Sequence, residues 1–283
     1  YDVVYLFLNP RLGVTHKFNN QTTAYLSLAT ASREPIDDQI YDPDNPEDVP
    51  KLSRFGKTEI DPEQMIDVEL GINHNVDNLW IGINAYGMFF ENEIVSTGFS
   101  SDLDEEIFKN VPTSTHIGIE LEASHRELIP GLALSGNLSF GRATLGDYSI
   151  LHTTVDENWN SVDSTVHLSG NKMARFPDLI FNGRATYRYE FMTGSIQVQH
   201  VSEQFMDHRE DDNAKLDAYT LFNAALIAKL PAHRLGQIDL ELRVNNLLDL
   251  EYEPFGIVDV EYGVPYYVPA AGRRFLAGVN LNL

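Results

Sequence analysis

With 42 carboxylates, nine histidines and no cysteine, carboxylate and imidazole chemistry is open to this 283-residue chain, while thiolate chemistry is closed. The absence of cysteine excludes a disulfide framework and any thiolate nucleophile or metal ligand. The nearest approach to a cation loop is Asp42-Pro43-Asp44-Asn45-Pro46-Glu47-Asp48. An EF-hand needs glycine at position six and a closing glutamate at position twelve. Here those positions hold Glu47 and Ser53, so an EF-hand is excluded, while a looser loop-bound Ca2+ stays open. No two histidines form an HxH or HExxH pair. His74, His116 and His200 fall in extended segments, and His152, His167 and His208 fall in polar loops. There is no GxSxG elbow and no Walker loop. Spacing brings no serine, histidine and aspartate together, so no catalytic residue is expected and the chain is not read as an enzyme. A lipase-like triad, whose members are only spatial neighbours, would escape such a reading.

The formal net charge is −22. Nucleic-acid binding needs a basic footprint, so nucleic acid is excluded as a partner. At 43% hydrophobic residues the chain has enough apolar surface to escape global disorder. Its longest unbroken apolar run, Val3 to Leu8, is six residues, against roughly 20 for a membrane-spanning helix. The sequence opens at Tyr1 without a signal peptide or initiator methionine, which reads as processing or as part of something longer.

The elements that must position any site are strands. Ile117, Ile119, Leu121 and Ala123 alternate with Gly118, Glu120, Glu122 and Ser124. Ile238, Leu240, Leu242 and Val244 alternate with Asp239, Glu241, Arg243 and Asn245. Period two sends one set to each face of a sheet. Eleven such segments are expected, at about 3–18, 22–33, 63–76, 79–95, 112–126, 132–148, 177–190, 193–206, 216–230, 237–252 and 266–283. Many run well past the five or six residues usual in soluble strands, a length that suits a tilted membrane crossing. Short turns (Asn19 to Gln21, Asp77-Asn78, Ile129 to Gly131, Met192-Thr193, Ala232 to Gly236) alternate with long polar segments at 34–62, 96–111, 149–176, 207–215 and 253–265. That asymmetry belongs to outer-membrane barrels. A soluble sandwich, apolar face inward, is the plainer alternative. Aromatics near strand ends, among them Tyr86, Phe89, Tyr187, Tyr189, Tyr266 and Tyr267, suit interfacial girdles.

Asn9-Pro10-Arg11-Leu12-Gly13-Val14 and Tyr25 to Pro35 are similar to the "sPrlGv" and "lyasya.g.reP" strands of the TonB-dependent outer-membrane receptors, and the chain resembles the C-terminal half of that family's barrel. Asp61-Pro62-Glu63 with Val68-Glu69-Leu70-Gly71 resembles "l.PE....yElG". The most specific piece is Asn245-Asn246-Leu247-Leu248-Asp249-Leu250-Glu251-Tyr252, similar to "vnNLfDk.Y". Pro269 and Gly272-Arg273-Arg274-Phe275 resemble the "pGR.f" ending, although the chain closes on Leu283 where the family usually has phenylalanine.

The resemblance implies an all-β antiparallel transmembrane β-barrel, with residues 1–283 forming a single C-terminal part of it and the plug domain absent. Eleven strands would be the second half of a barrel of about 22. An odd number of antiparallel strands cannot close by itself, so a fragment or a partner chain is expected. It implies an outer-membrane receptor importing a ferric siderophore or similar scarce chelate, energised through TonB by way of the plug, with long loops extracellular and short turns periplasmic. Partners would be outer-membrane lipid, lipopolysaccharide, the plug and the missing barrel half. Glu120, Glu122, Arg184, Arg188, Arg243 and Arg274, with Glu190, Asp239 and Glu241, would face the lumen and plug. Their simpler role is cross-strand charge pairing. Arg33, Tyr41, Trp159, Phe255, Tyr262 and Tyr266 are the candidate ligand contacts, because chelate sites are aromatic with few polar donors. Segment 34–62, where haem-importing members carry a ligand histidine, has none. The acidic residues of segment 34–62 and the clusters at 102–106 and 207–212 read as solvated loops before they read as cation sites. Gly71, Gly82, Gly118, Gly136 and Gly278 would leave room for a plug or bend the strands. Cobalamin, copper or oligosaccharide could replace the siderophore, and a non-transporting adhesion barrel is the reading from another class.

Overall fold

The computed structural model describes residues 4–40, 60–100, 105–155, 161–232, 236–260 and 262–282. Apart from a short 3-10 turn at Asp37–Gln39, its regular structure is strand. In chain order these are β1 Arg11–Lys17, β2 Thr22–Arg33, β3 Glu63–Val76, β4 Leu79–Ser100, β5 Glu105–Ile129, β6 Leu132–Leu145, β7 Ser149–Val155, β8 Ser161–His167 and β9 Leu179–Tyr189. There follow β10 Met192–Val201, β11 Gln204–Phe205, β12 Lys215–Leu216, β13 Tyr219–Ala232, β14 Gly236–Asn245, β15 Phe255–Val258, β16 Pro265–Val268 and β17 Arg274–Asn282. Eleven of them form one sheet in the order β1-β2-β3-β4-β5-β6-β9-β10-β13-β14-β17, each strand beside its sequence neighbour or separated from it only by a small hairpin. Every pairing is antiparallel, and β1 and β17 are the edges, so the sheet is open.

Register carries the alternation across strands. Val14 lies opposite Leu26, Leu26 opposite Leu70, Leu70 opposite Ala85, Ala85 opposite Ile119 and Ile119 opposite Phe140. One residue along, the row is Thr15, Tyr25, Gly71, Asn84, Glu120 and Ser139. A single slip would exchange the two faces. In a soluble sandwich the apolar row would be buried; here Leu26 is 51% exposed, Leu70 58% and Ile119 50%. The apolar face is therefore the outside of the sheet, and water is the wrong solvent for it.

The turns at one end are tight. Asn19 Oδ1 accepts the amides of Gln21 and Thr22, both at 2.8 Å, closing the turn between β1 and β2. Gly131 has φ +84°, and a Cβ there would lie 2.3 Å from the Arg188 carbonyl oxygen, so the turn between β5 and β6 requires glycine. At the other end, buried side chains collect under the long connections. Val95, Val111, Ala143, Leu145, Tyr148, Leu168 and Met173 form one cluster; Met206, Ala214, Leu216 and Val258 form a second.

Four expectations change in detail. The first strand begins at Arg11 instead of residue 3. The tenth ends at Asn245 instead of 252, because Asn246 and Asp249 take positive φ (53° and 59°) and the Asn246 side chain holds Leu250 through both its oxygen and its nitrogen. The last strand begins at Arg274, so Tyr266 and Tyr267 belong to a loop hairpin, not to its first turn. The long polar segments carry structure of their own: β4 and β5 extend their ladder to Ser100 and Glu105, and β7–β8, β11–β12 and β15–β16 are hairpins.

Candidate functional site

The polar face is built around tyrosines lying on glycines. Tyr25 stretches over Gly71 and donates its hydroxyl to Asn84 Oδ1 at 3.0 Å. Asn84 Nδ2 in turn donates to Glu120 Oε2 at 3.3 Å. Tyr86 lies over Gly118, and its hydroxyl reaches the space a Cβ of Gly141 would fill. Gly71 and Gly118 are thus seats for aromatic rings, a device that covers bare strand backbone, and not open room on the wall. Gly136 and Gly183 face each other on the apolar row instead.

Of the charges expected on this face, Glu122 and Arg184 come together along a polar groove of 370 Å³ with Asn137, Asn182, Gln197 and Asn223. Arg243 donates to Glu241 on its own strand. Arg188 stands opposite Thr193 near the short-turn end and Arg274 opposite Asn245 at the start of β17. Glu190, with φ 49°, is a turn residue, not a wall residue.

The ligand candidates separate. Tyr41 and Trp159 lie outside the described residues. Arg33 caps the end of β2: its Nη2 donates to Glu63 Oε2 at 2.8 Å and to the Ile94 carbonyl at 3.1 Å, which ties β2 to β3 and β4. Phe255, Tyr262 and Tyr266 all belong to the β15–β16 hairpin and its turn. Phe255 lies 5.6 Å from the Arg175 guanidinium, within cation–π reach. Tyr267, one residue past Tyr266, donates its hydroxyl to the Asn213 carbonyl at 3.2 Å and fastens the hairpin to the loop between β11 and β12.

That loop accounts for its own acidity. Asp207 holds the Arg209 amide and Nε, Glu210 accepts the Lys172 amide at 2.7 Å, and Asp211 accepts both the amide and the side-chain nitrogen of Asn213. The last two bonds hold Asp211 below the usual carboxylate range. Among the described residues no group of three or more histidines and carboxylates is placed to hold a metal.

The residues missed in the sequence are those that knit the loops to the sheet. Arg175 donates to Glu106 Oε1 at 3.0 Å while its amide bonds the Phe205 carbonyl. His208 is buried; its Nδ1 accepts the Ala174 amide at 3.0 Å, which leaves the proton on Nε2. Burial pushes this imidazole below its ordinary value, against the opposing pull of the Ser96 backbone and of Asp207. Beside it, Glu93, Ser114, His116 and Met173 meet on the inner face. The only sequence signal for this group was a histidine, His116, at an inward strand position. Ser114 donates to Glu93 directly and His116 bonds Glu93 rather than Ser114, so the trio lacks the order of a nucleophilic relay.

The family model described as TonB dependent receptor-like, beta-barrel, matches residues 2–247. The chain belongs to this family, whose members are receptors and transporters, not enzymes. Three solved structures illustrate the fold. The siderophore receptor PiuA from Acinetobacter baumannii is 19% identical with a TM-score of 0.70, over 96% of this chain and 35% of that one. The ferric yersiniabactin uptake receptor FyuA from Yersinia pestis is 16% identical with a TM-score of 0.67, over 95% of this chain and 36% of that one. The copper transporter OprC is 19% identical with a TM-score of 0.68, over 95% of this chain and 39% of that one. The chain thus spans little more than a third of these proteins. No curated protein matches it.

Proposed function

We propose that this chain is part of the wall of an outer-membrane importer that takes up a ferric siderophore or similar scarce chelate and is energised through TonB. The observation that carries the reading is the two-faced eleven-stranded sheet. Its outer face is exposed and apolar, as lipid requires, and its inner face is lined by tyrosine, asparagine and paired charges, as a wet lumen requires. Membership of the receptor family supports the transport class. The similar structures include receptors for siderophores and one for copper, so the cargo is the finer part of the proposal.

In this reading the short turns are periplasmic and the long connections extracellular. The hairpin carrying Phe255, Tyr262 and Tyr266 is exposed at the loop end, where an aromatic chelate would arrive. Glu120, Glu122, Arg184, Arg188, Arg243 and Arg274 face a plug, and pulling on that plug releases the cargo inward. No covalent step is involved. The test is uptake of radiolabelled ferric siderophores by cells carrying or lacking the receptor that contains this chain, with and without TonB. The expected result is uptake that needs both, with surface binding surviving loss of TonB. Uptake indifferent to TonB would overturn the reading.

A further inference from the structure

Three side chains from three segments meet at a single atom at the loop end of the inner face. His116 Nε2 on β5 lies 3.2 Å from Glu93 Oε2 on β4 and 3.0 Å from Met173 Sδ in the connection after β8. Glu93 is turned inward by a local break in the alternation. Before Asn92, the odd-numbered Ile81, Ile83 and Phe89 are exposed; Asn92 takes φ 53°, beyond it Glu93, Ile94 and Val95 are all buried, and the Glu93 carboxylate meets Ser114 and His116 of the inner face. The backbone conformation at Asn92 therefore brings a carboxylate to a histidine that the strand pattern alone would set on the other face.

The contact is crowded with acceptors. A neutral imidazole nitrogen carries one proton or one lone pair. One Nε2–H cannot point at both a carboxylate oxygen and a thioether sulfur with good geometry. A cation set among the three atoms would satisfy all of them. Bonds of about 2.0–2.3 Å to nitrogen, oxygen and sulfur donors leave ligating atoms roughly 3–4 Å apart, and the nitrogen–oxygen and nitrogen–sulfur spacings of 3.2 Å and 3.0 Å fall at the short end of that range. The surroundings suit such a role. The Ser114 hydroxyl bonds the same Glu93 oxygen and fixes the carboxylate from behind. The rings of Phe90 and Phe176 pack 4.8 Å and 5.4 Å from the imidazole. The His116 and Glu93 side chains are only 14% and 11% exposed, and Met173 is 6% exposed.

Donor type and charge select the ion. A thioether favours soft metals such as Cu(I), and imidazole accepts copper well. A single carboxylate exactly neutralises a monovalent ion, whereas a divalent ion would leave a net charge in a nearly dry setting. We propose that Glu93 Oε2, His116 Nε2 and Met173 Sδ form a binding site for a monovalent soft metal ion, Cu(I), for which Ag(I) is the redox-inert probe. The site is separate from the chelate-binding role proposed above and does not depend on it.

The test is calorimetric titration of the receptor, purified in detergent from its membrane, with Ag(I) in chloride-free buffer. The chain has five methionines, so specificity is read from variants. Met173→Leu conserves volume and removes the sulfur; Met192→Leu, at the start of β10, is the control. One stoichiometric Ag(I) site is expected, weakened at least tenfold by Met173→Leu and by His116→Gln and unchanged by Met192→Leu. Heat-modifiable gel mobility checks that the variants fold. X-ray absorption of the Cu(I)-loaded receptor gives a second reading, independent of the variants: one sulfur neighbour beside nitrogen or oxygen is expected. Equal Ag(I) binding by wild type and Met173→Leu, no sulfur neighbour, or tighter binding of Zn(II) than of Ag(I) would overturn the assignment.

Discussion

The Tyr25 ring occupies the place where a side chain at Gly71 would begin: a Cβ on Gly71 would lie 2.2 Å from Tyr25 Cε1. The two residues are register partners on β2 and β3, and the ring crosses Gly71 to reach Asn84 on β4. Three strands are thereby joined by one side chain on the inner face.

This relationship predicts the effect of Gly71→Ala. The methyl group would displace the ring and break the bond to Asn84, and the loss outweighs the stiffening of the unfolded chain, which is worth about 0.4–1 kcal/mol. A net loss of about 1–2 kcal/mol is expected. Tyr25→Ala alone should cost a similar amount, and the double variant should cost less than the sum. Urea unfolding in detergent micelles measures all three. Strict additivity would show that the ring and the glycine do not interact.

A second prediction concerns Asn246. It combines a positive φ of 53° with two side-chain bonds to Leu250. Asn246→Gly keeps the conformation and loses the bonds; Asn246→Ala loses both. The expected costs are about 1–2 kcal/mol for glycine and roughly 1 kcal/mol more for alanine. Equal stability of the two variants would mean that backbone strain plays no part at this turn.

His208 makes loop stability depend on pH. Its surroundings include the Ser96 backbone and Glu93 from β4, Asp207 on its own loop and Arg175 from the connection after β8, yet burial dominates and lowers its affinity for a proton. The folded state binds this proton less well than the unfolded state. Stability is therefore full above the ordinary imidazole value of about 6.5 and falls as pH drops through that value toward the lower folded one. Relative to the intrinsic rate, which itself falls with pH, protection of the Ala174 amide, which His208 holds, should drop between pH 7 and 5 more than protection of amides in the middle of β5. His208→Gln should flatten that difference. An Ala174 amide no more pH-sensitive than those of β5 would contradict it.

The sheet was legible because alternation, strand length and turn residues agree: eleven strands were expected, and eleven form it, with β2 and β3 matching residue for residue. The ends failed where local chemistry overrides pattern. Leu248 and Leu250 keep to the even-numbered apolar row of β14, but the αL conformation of Asn246 stops the strand. The turned face at Glu93 was invisible for the same reason, since it rests on one backbone angle at Asn92. The grouping of His116, Met173, Arg175 and His208 depends on loops folding back over the sheet, and sequence separation conceals such contacts. Of the expected ligand contacts, Phe255, Tyr262 and Tyr266 share one hairpin, and Arg33 ties the end of β2 to Glu63.

The central claim is that adjacent residues on β5 face lipid and lumen in turn. This chain contributes no cysteine of its own, so any cysteine elsewhere in the receptor is first replaced by serine. Ile119→Cys and Glu120→Cys, spin-labelled one at a time in the receptor reconstituted in bilayers, measure it directly. The account predicts that the label at 119 collides with dissolved oxygen and is shielded from a water-soluble nickel complex, with the opposite at 120. Equal access of the nickel complex to both positions, or the reverse order, would contradict it.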